Sequence, residues 1–157
     1  MNDTRAFREC FGRFATGVTV VTCVDAQQRP CGITANSFSS VSLAPPLVLW
    51  SIGKESNSLQ AYLNAQYFAI NVLASHQHAL SAHFAQSDHT LFDSVEYTMS
   101  GNGVPLLPNS LATFECRTHQ TYDCGDHHII VGEVLNLASD AGDPLLFYRG
   151  EYRELRE

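Results

Sequence analysis

The chain opens with apolar residues at helical spacing and then changes to the pattern of strands. Four apolar side chains recur at helical intervals within residues 4–15, namely Phe7, Cys10, Phe11 and Phe14. This periodicity predicts an amphipathic helix over the range. Thr16-Gly17 follows as a helix stop, since glycine tolerates the left-handed conformation that ends helices. The segment after it is dense in Val and Thr, which favours β structure.

Short apolar runs separated by turns predict strands along most of the remaining chain. The predicted strands are residues 18–24, 31–41, 47–52, 67–73, 111–122, 127–138, 144–148 and 152–155. The run at 47–52 is almost wholly apolar, so we expect it to be buried on both faces. Two further helices are predicted, from Ser56 to about Ala65 and from His76 to Ala85. Short strands with few helices between them predict a mainly antiparallel β-barrel with peripheral helices, in one domain of residues 1–157.

Composition and charge exclude several classes of partner. Sixteen acidic residues against nine basic ones give a formal net charge of −7, and Lys54 is the single lysine. Nucleic acid is bound by clusters of Lys and Arg, so we expect neither nucleic acid nor an anionic membrane as a partner. No stretch approaches the roughly 18 apolar residues of a membrane span. The five scattered cysteines are typical of reduced thiols in a cytoplasmic protein.

One predicted strand carries an unusual number of small polar residues. Residues 34–42 contain Thr34, Asn36, Ser37 and three further serines. Small side chains let a flat ring approach the backbone, and hydroxyl and amide groups can bond its heteroatoms. An edge strand with a solvated face would show the same pattern, so the residues alone leave both interpretations open.

Residues 51–59 leave a predicted strand and enter a predicted helix with several hydroxyl groups. A helix N-terminus offers free N–H groups, Lys54 adds a positive charge, and Ser56 and Ser58 add donors, which together suit a phosphate. An ordinary helix cap explains the same residues. No Gly-x-Gly-x-x-Gly occurs, so the usual dinucleotide-binding fold lacks support.

The histidines suggest one candidate site and exclude another. His127 begins a predicted strand beside Asp126, where it could orient a substrate or exchange protons near neutral pH, unless it is simply a solvated turn residue. Residues 147–152 would add an aromatic surface and a cation for a nucleotide. A metal cluster of His76, His78 and His83 with Asp88 or His89 has no clean i, i+4 pair, so we predict no metal site.

The order of several segments resembles the short-chain flavin reductase family over residues 7–155. The matching segments are RFATGVTVVT at 13–22, residues 34–42 followed by PPL at 45–47, FAINVL at 68–73, GDH at 125–127, GEV at 132–134 and PLLF at 144–147. Two positions depart from the family pattern. Ala44 stands where the family often has an acid before the double proline, and Leu91 stands where many members have a lysine before phenylalanine.

The resemblance implies an FMN-binding split β-barrel with Greek-key-like topology, usually a homodimer with flavin near the subunit interface. Members reduce FMN or FAD with NADH or NADPH, and many supply a separate monooxygenase. The implied site residues are Thr34, Ala35, Asn36 and Ser37 at the flavin ring, Ser51, Lys54, Ser56 and Ser58 at the ribityl chain and phosphate, Phe84 and Ala85 beside the pocket, and Tyr152 with the catalytic His127 at the nicotinamide nucleotide. His127 would position the nicotinamide rather than serve as an obligatory acid.

Two other functions fit the same residues. One is a reductase with tightly bound flavin that acts on another acceptor, such as a corrinoid or an iron complex. The other is a flavin-binding module without turnover. The sequence leaves FMN and FAD as alternatives, while the scarcity of basic residues favours NADH over NADPH.

Overall fold

A seven-stranded antiparallel sheet carries most of the chain in the computed structural model, which describes residues 3–88 and 90–156. Its strands in spatial order are β3 (Pro30–Ala35), β2 (Thr19–Val24), β6 (Tyr67–Val72), β9 (Ala112–Cys124), β10 (His127–Ser139), β5 (Pro46–Gly53) and β4 (Ser39–Leu43). The prediction of a mainly antiparallel β-barrel is confirmed, because strands dominate and every strand pair is antiparallel.

Smaller elements surround this sheet. A three-stranded sheet has the order β1 (Thr16–Gly17), β11 (Leu146–Tyr148) and β12 (Glu151–Arg153), and β7 (Thr98–Met99) pairs with β8 (Pro105–Leu106). The helices are α1 (Thr4–Phe11), α2 (Leu59–Asn64) and α3 (His78–Phe84), with short 3₁₀ turns at Ser75–Gln77 and Leu91–Ser94. The β11–β12 hairpin and α3 lie against one edge of the large sheet, where they enclose the site described below.

Two apolar clusters explain why β2 and β6 are buried on both faces. One cluster fills the barrel and the other lies outside it, under α3 and the segment that follows α3. The first includes Val21, Trp50, Tyr62, Phe68 and Ile70, and the second includes Val20, Leu73, Phe84, Phe92 and Leu145. Because alternate residues of a strand face opposite sides, β2 contributes Val21 to one cluster and Val20 to the other. Burial of both faces makes these strands the centre of the fold.

The predicted strand over residues 31–41 is two strands on opposite edges of the sheet. β3 ends at Ala35 and β4 begins at Ser39, where it pairs with β5. The hydroxyl of Ser37 turns the chain between them: it donates to the Ser51 carbonyl at 3.1 Å and accepts from the Ser51 N–H at 2.9 Å. A side chain that replaces a backbone partner in this way ends the regular ladder. The break leaves β3 with an unpaired edge.

The first helix is shorter than predicted and does not pack on the core. α1 ends at Phe11 rather than at residue 15, because the N–H groups of Arg13 and Phe14 bond carbonyls three residues back and the chain then pairs with β11. None of the helix residues is buried. The predicted apolar face of α1 therefore exists but is solvent-exposed. Phe14, which follows the end of the helix, is 77% exposed.

Two further boundaries differ from the predictions. β5 alternates instead of being buried on both faces, with Val48, Trp50 and Ile52 inside and the residues between them half-buried. The reason is that only its inner face covers the barrel core. α2 begins at Leu59 rather than at Ser56, because the preceding residues form turns in which the Ser56 N–H donates to the Gly53 carbonyl at 3.1 Å.

Candidate functional site

A cleft of ≈ 340 Å³ opens along the unpaired edge of β3. Its walls come from β3, the loop after β5, the C-terminal end of α3 with the residues that follow, and the β11–β12 hairpin. Eight of the sequence-predicted site residues line it: Thr34, Ala35, Asn36, Ser56, Ser58, Phe84, Ala85 and Tyr152. Segments far apart in sequence are therefore brought together by the fold.

The floor of the cleft is a strand with free backbone groups. In the ladder between β2 and β3, the Asp25 N–H donates to the Arg29 carbonyl at 2.9 Å, and pairing then alternates without a bulge along the strand. By that alternation Ile33 and Ala35 bond β2, whereas the N–H and C=O groups of Thr34 point away from it. The floor thus offers backbone donors and acceptors to a ligand, as well as its small side chains.

A chain of hydroxyl groups fixes one side of the cleft. Thr34 donates its Oγ1–H to the Ser81 carbonyl at 2.6 Å, which ties β3 to α3. The Ser81 hydroxyl and the Tyr152 hydroxyl share a hydrogen bond of 2.7 Å. Tyr152 also contacts the rings of His78 and Phe147, with centroids 4.1 and 5.6 Å away. Because Ser81 is fully buried, this chain of contacts holds the aromatic wall in place.

The close approach of α3 to β3 depends on a glycine. A Cβ at Gly32 would lie 2.6 Å from Cε1 and 2.7 Å from Cδ1 of the Phe84 ring, and 3.1 Å from the Phe92 ring. Phe84 is fully buried yet reaches the cleft with one face. The absence of a side chain at Gly32 therefore sets how near the phenylalanine lies to the cleft floor.

Neutral donors line the loop end of the cleft. Ser56, Asn57 and Ser58 enter it from the loop after β5, and the Ser58 N–H donates to the Ser56 hydroxyl at 3.3 Å. Within the ranges 3–88 and 90–156, no lysine or arginine lines the cleft, and its one charged residue is Asp88. A phosphate at this end would be bound by hydroxyl, amide and backbone groups rather than by a cation.

Ser37, predicted at the flavin ring, and Ser51, predicted at the phosphate, both lie outside the cleft lining and bond each other. Ser37 and Ser51 are joined by the two hydrogen bonds that link the β3–β4 connection to β5. These two bonds fix the point at which β3, the floor of the cleft, ends.

Lys54 and His127 also lie outside the lining, at the turn between β9 and β10. Lys54 Nζ is 2.6 Å from Asp123 Oδ1, and this contact lowers the pKa of the Asp123 carboxyl. His127 Nδ1 is 2.7 Å from Asp126 Oδ1, which lowers the pKa of Asp126 through the hydrogen bond and the charge of the ring. His127 pairs with Gly53 on β5, three residues before Ser56, so it adjoins the loop end of the cleft.

Several lining residues were not among the flavin-site residues that the sequence predicted. Asn57, Gln86, Ser87 and Asp88 line the cleft, as does Val18. Asn57 lies between the two predicted serines and Gln86 directly follows Ala85, so each adjoins a residue that the sequence did predict.

Neither a metal site nor a spanning helix is present in the described part of the chain. No three His, Cys, Asp or Glu side chains come close enough there to hold a metal ion. His89, considered above with the histidine cluster, lies outside the described residues. Of that cluster, His83 Nε2 is 2.6 Å from the Leu91 carbonyl. No helix among residues 3–88 and 90–156 has the length and apolar character needed to cross a membrane.

Residues 11–156 match the model of the flavin reductase like domain. The chain belongs to the flavin reductase-like family. This flavin reductase-like chain is 49% identical over 150 residues, 96% of its length and 85% of the relative's, to the FMN reductase (NADH) SmoA of Agrobacterium fabrum. It is 43% identical to the reductase component of the flavin-dependent trigonelline monooxygenase of Acinetobacter baylyi, over 97% of its own length and 49% of that protein's. The chain spans about half the length of two of the curated relatives that it matches.

A solved structure of the family superposes on nearly the whole chain. The NADH:FAD oxidoreductase SgcE6 of Streptomyces globisporus, in complex with NAD and FAD fragments, has a TM-score of 0.93 and 40% sequence identity. The match covers 98% of this chain and 93% of that one. The split-barrel fold implied by the sequence resemblance is thereby confirmed.

Proposed function

We propose that the chain is an NADH:flavin oxidoreductase that reduces FMN or FAD and supplies the reduced flavin to a partner monooxygenase. The observation that carries the proposal is the cleft itself: a strand edge with free backbone groups, small side chains above it, and neutral donors at one end. The names of the relatives support both the donor and the partner, since they include an FMN reductase (NADH) and a monooxygenase reductase component.

The residues of the cleft fit a flavin. The ring would lie over Thr34, Ala35 and Asn36, where the outward N–H group of Thr34 is placed to donate to an electronegative ring atom. Ser56 and Ser58 would bond the ribityl chain and phosphate, and Phe84 would face the ring beside Ala85. When bound, the flavin supplies the chemistry of the reaction, because it accepts a hydride from the nicotinamide. Backbone N–H donors in a fixed strand stabilise negative charge that develops next to them.

The side chains around the cleft have the task of aligning the nicotinamide ring with the flavin ring. Two rings that must meet face to face react faster when the protein fixes their relative position. We assign that task to Tyr152 on one side and to His127 on the other, where the Asp126 carboxylate holds the imidazole at Nδ1 and leaves Nε2 free to contact a nucleotide. His127→Ala is expected to raise KM for NADH. Normal NADH binding with a lost proton-transfer step would contradict the assignment.

The proposal includes a homodimer in the cytoplasm. Apolar side chains are exposed at the β4 edge and at the far end of β10, with Leu43 96% and Leu137 65% exposed. Such patches are typical of subunit interfaces. Five cysteines without a disulfide fit a reducing compartment. Light scattering on the purified chain tests the first point: a dimer mass is expected, and a monomer at micromolar concentration would contradict it.

Steady-state NADH oxidation with increasing FMN, then FAD, tests the activity. Saturable dependence on added flavin is expected and would show which flavin is preferred. Turnover without added flavin favours a reductase with tightly bound flavin that acts on another acceptor, such as a corrinoid or an iron complex. Binding of flavin without oxidation of NADH or NADPH favours a non-catalytic flavin-binding module.

A further inference from the structure

We propose that a second, arginine-lined cavity beside the flavin cleft binds the pyrophosphate of the nicotinamide dinucleotide, an inference that rests on the proposed function. The cavity has a volume of ≈ 560 Å³ and lies between α1 and the β11–β12 turn. Four arginines line it, and we call it the arginine cavity: Arg5, Arg8, Arg13 and Arg149.

The charge of this cavity is opposite to that of the chain. A protein with net charge −7 places four of its nine basic residues around one concave surface. The one carboxylate in the lining, Glu9, accepts a hydrogen bond from Arg5 Nε at 3.2 Å. Within the described part of the chain, Arg8, Arg13 and Arg149 have no ion-pair partner. These exposed guanidinium groups give the surface a positive potential, which favours a bound anion.

Arg149 has a backbone conformation that does not suit an arginine. Arg149 and Gly150 form the two-residue β11–β12 turn with φ of +53° and +80°, the turn type for which Asn, Asp or Gly is preferred at the first position. The Arg149 N–H donates to the Gly12 carbonyl at 3.0 Å, so the strained residue is fixed against the end of α1. A residue kept in an unfavourable conformation is often found where it binds a ligand.

The β11–β12 hairpin connects this cavity to the flavin cleft. Phe147 and Tyr152 line the cleft, and the turn between their strands carries Arg149. At the rise of a strand, the Arg149 Cα lies on the order of 7 Å beyond the Phe147 Cα. Ser56 and Ser58 enter the cleft from the loop after β5 and suit the flavin phosphate, whereas the hairpin belongs to the three-stranded sheet. A nicotinamide stacked on the flavin would thus leave its pyrophosphate on the hairpin side.

The groups that line the cavity suit phosphate. Guanidinium groups can bind phosphate oxygens through paired N–H donors. The flavin cleft holds no such cation of its own among the residues described. The phosphates of the hydride donor therefore have their cationic partners in the arginine cavity.

Kinetics with two hydride donors test this assignment. Arg8→Gln, Arg13→Gln and Arg149→Asn are compared with the wild type using NADH and 1-benzyl-1,4-dihydronicotinamide, which has no phosphate. For exposed guanidinium–phosphate pairs we expect KM for NADH to rise about threefold to tenfold per variant, with kcat unchanged. Kinetics with the phosphate-free donor should be unchanged. Arg117→Gln is the matched control, since Arg117 pairs with Glu133 on the large sheet and lies outside both cavities.

Arg149→Asn separates binding from folding. Asn tolerates positive φ better than Arg does, so this variant should have a Tm equal to or above that of the wild type while its KM for NADH rises. An unchanged KM for NADH in all three variants would overturn the assignment, and so would an equal loss with both donors. Unchanged NADH kinetics with impaired delivery of flavin to a monooxygenase would instead assign the arginines to an acidic protein surface.

A binding measurement keeps this test independent of activity. If the wild type oxidises neither donor with flavin, the proposed function fails, and calorimetric titration with inorganic pyrophosphate then examines the cavity alone. Binding to the wild type and to Arg117→Gln, with loss in the arginine-cavity variants, supports the cavity. Equal binding by all five proteins, or binding by none of them, overturns it.

Discussion

Substitution of Gly32 by alanine tests how the cleft floor and the core are fitted together. Gly32 does not have a positive φ, so alanine is compatible with its backbone. The added Cβ would nevertheless lie within 3 Å of two atoms of the Phe84 ring and 3.1 Å from Phe92. Phe84 is fully buried and its ring centroid is 4.9 Å from that of Phe92, so the ring has no free space behind it.

The size of the effect follows from two opposing terms. Overpacking of a filled core costs roughly 1–3 kcal/mol of unfolding free energy. Replacement of glycine at a compatible position returns about 0.4–1 kcal/mol by restricting the unfolded chain. We therefore expect a net loss of about 1–2 kcal/mol, or a fall in Tm of roughly 2–8 °C for a domain of this size. Flavin affinity should fall as well, because Phe84 lines the cleft and a shift of its ring would change the shape of the cleft.

Urea denaturation and flavin titration measure the two effects. Gly101→Ala is the matched control, because a Cβ there meets no atom within 4 Å and the φ is not positive. Addition of Phe84→Leu to Gly32→Ala should recover about 1 kcal/mol relative to the sum of the single changes, since the smaller side chain removes the contact. Gly32→Ala with the stability and flavin affinity of the control would refute the close fit.

Three further predictions concern the structure around the barrel. Ser37→Ala should cost roughly 1–2 kcal/mol in urea denaturation, because both of its hydrogen bonds to the backbone of Ser51 are lost; an unchanged midpoint would contradict its part in the strand break. Tyr62→Phe should cost about 0.5–1.5 kcal/mol through loss of the buried 2.7 Å bond to the Val21 carbonyl, and retention of full stability would contradict this. Within the turn that contains Asp25, backbone N–H groups and the Arg29 guanidinium lower the pKa of the Asp25 carboxyl in the folded protein. The stability that this carboxylate adds is therefore present above its pKa in the unfolded chain and is lost as the pH falls through its pKa in the folded protein. Asp25→Asn should thus be less stable than the wild type at neutral pH and approach it below about pH 4, and a constant difference across that range would contradict the sign.

Most of the fold was predictable because its strands follow simple patterns. The β9–β10 hairpin and the central β6 were predicted to within a few residues, since long apolar runs bounded by turns specify strands. The break between β3 and β4 was not, because it depends on the Ser37 hydroxyl reaching a backbone 14 residues away. Periodicity also placed an apolar face on α1 but could not show that the face is left exposed.

Part of the cleft lining was predictable from local sequence. Thr34 and Asn36 combine small size with polarity on a strand, which is visible in the sequence. Lys54 was predicted to contact phosphate from its charge near a predicted helix start, and Ser51 from the family resemblance. In the structure, Lys54 pairs with Asp123 on β9, and Ser51 bonds Ser37 in the β3–β4 connection. A local pattern identifies a donor but does not show which distant group it bonds.

The unpaired edge of β3 has a consequence for handling the protein. An exposed strand edge can pair with another chain, and such pairing is a common route to aggregation. A ligand lying along that edge would shield it, because the same N–H and C=O groups would then be covered. Preparations stripped of flavin should accordingly precipitate sooner on storage than preparations kept with excess FMN, independently of any loss of folding stability.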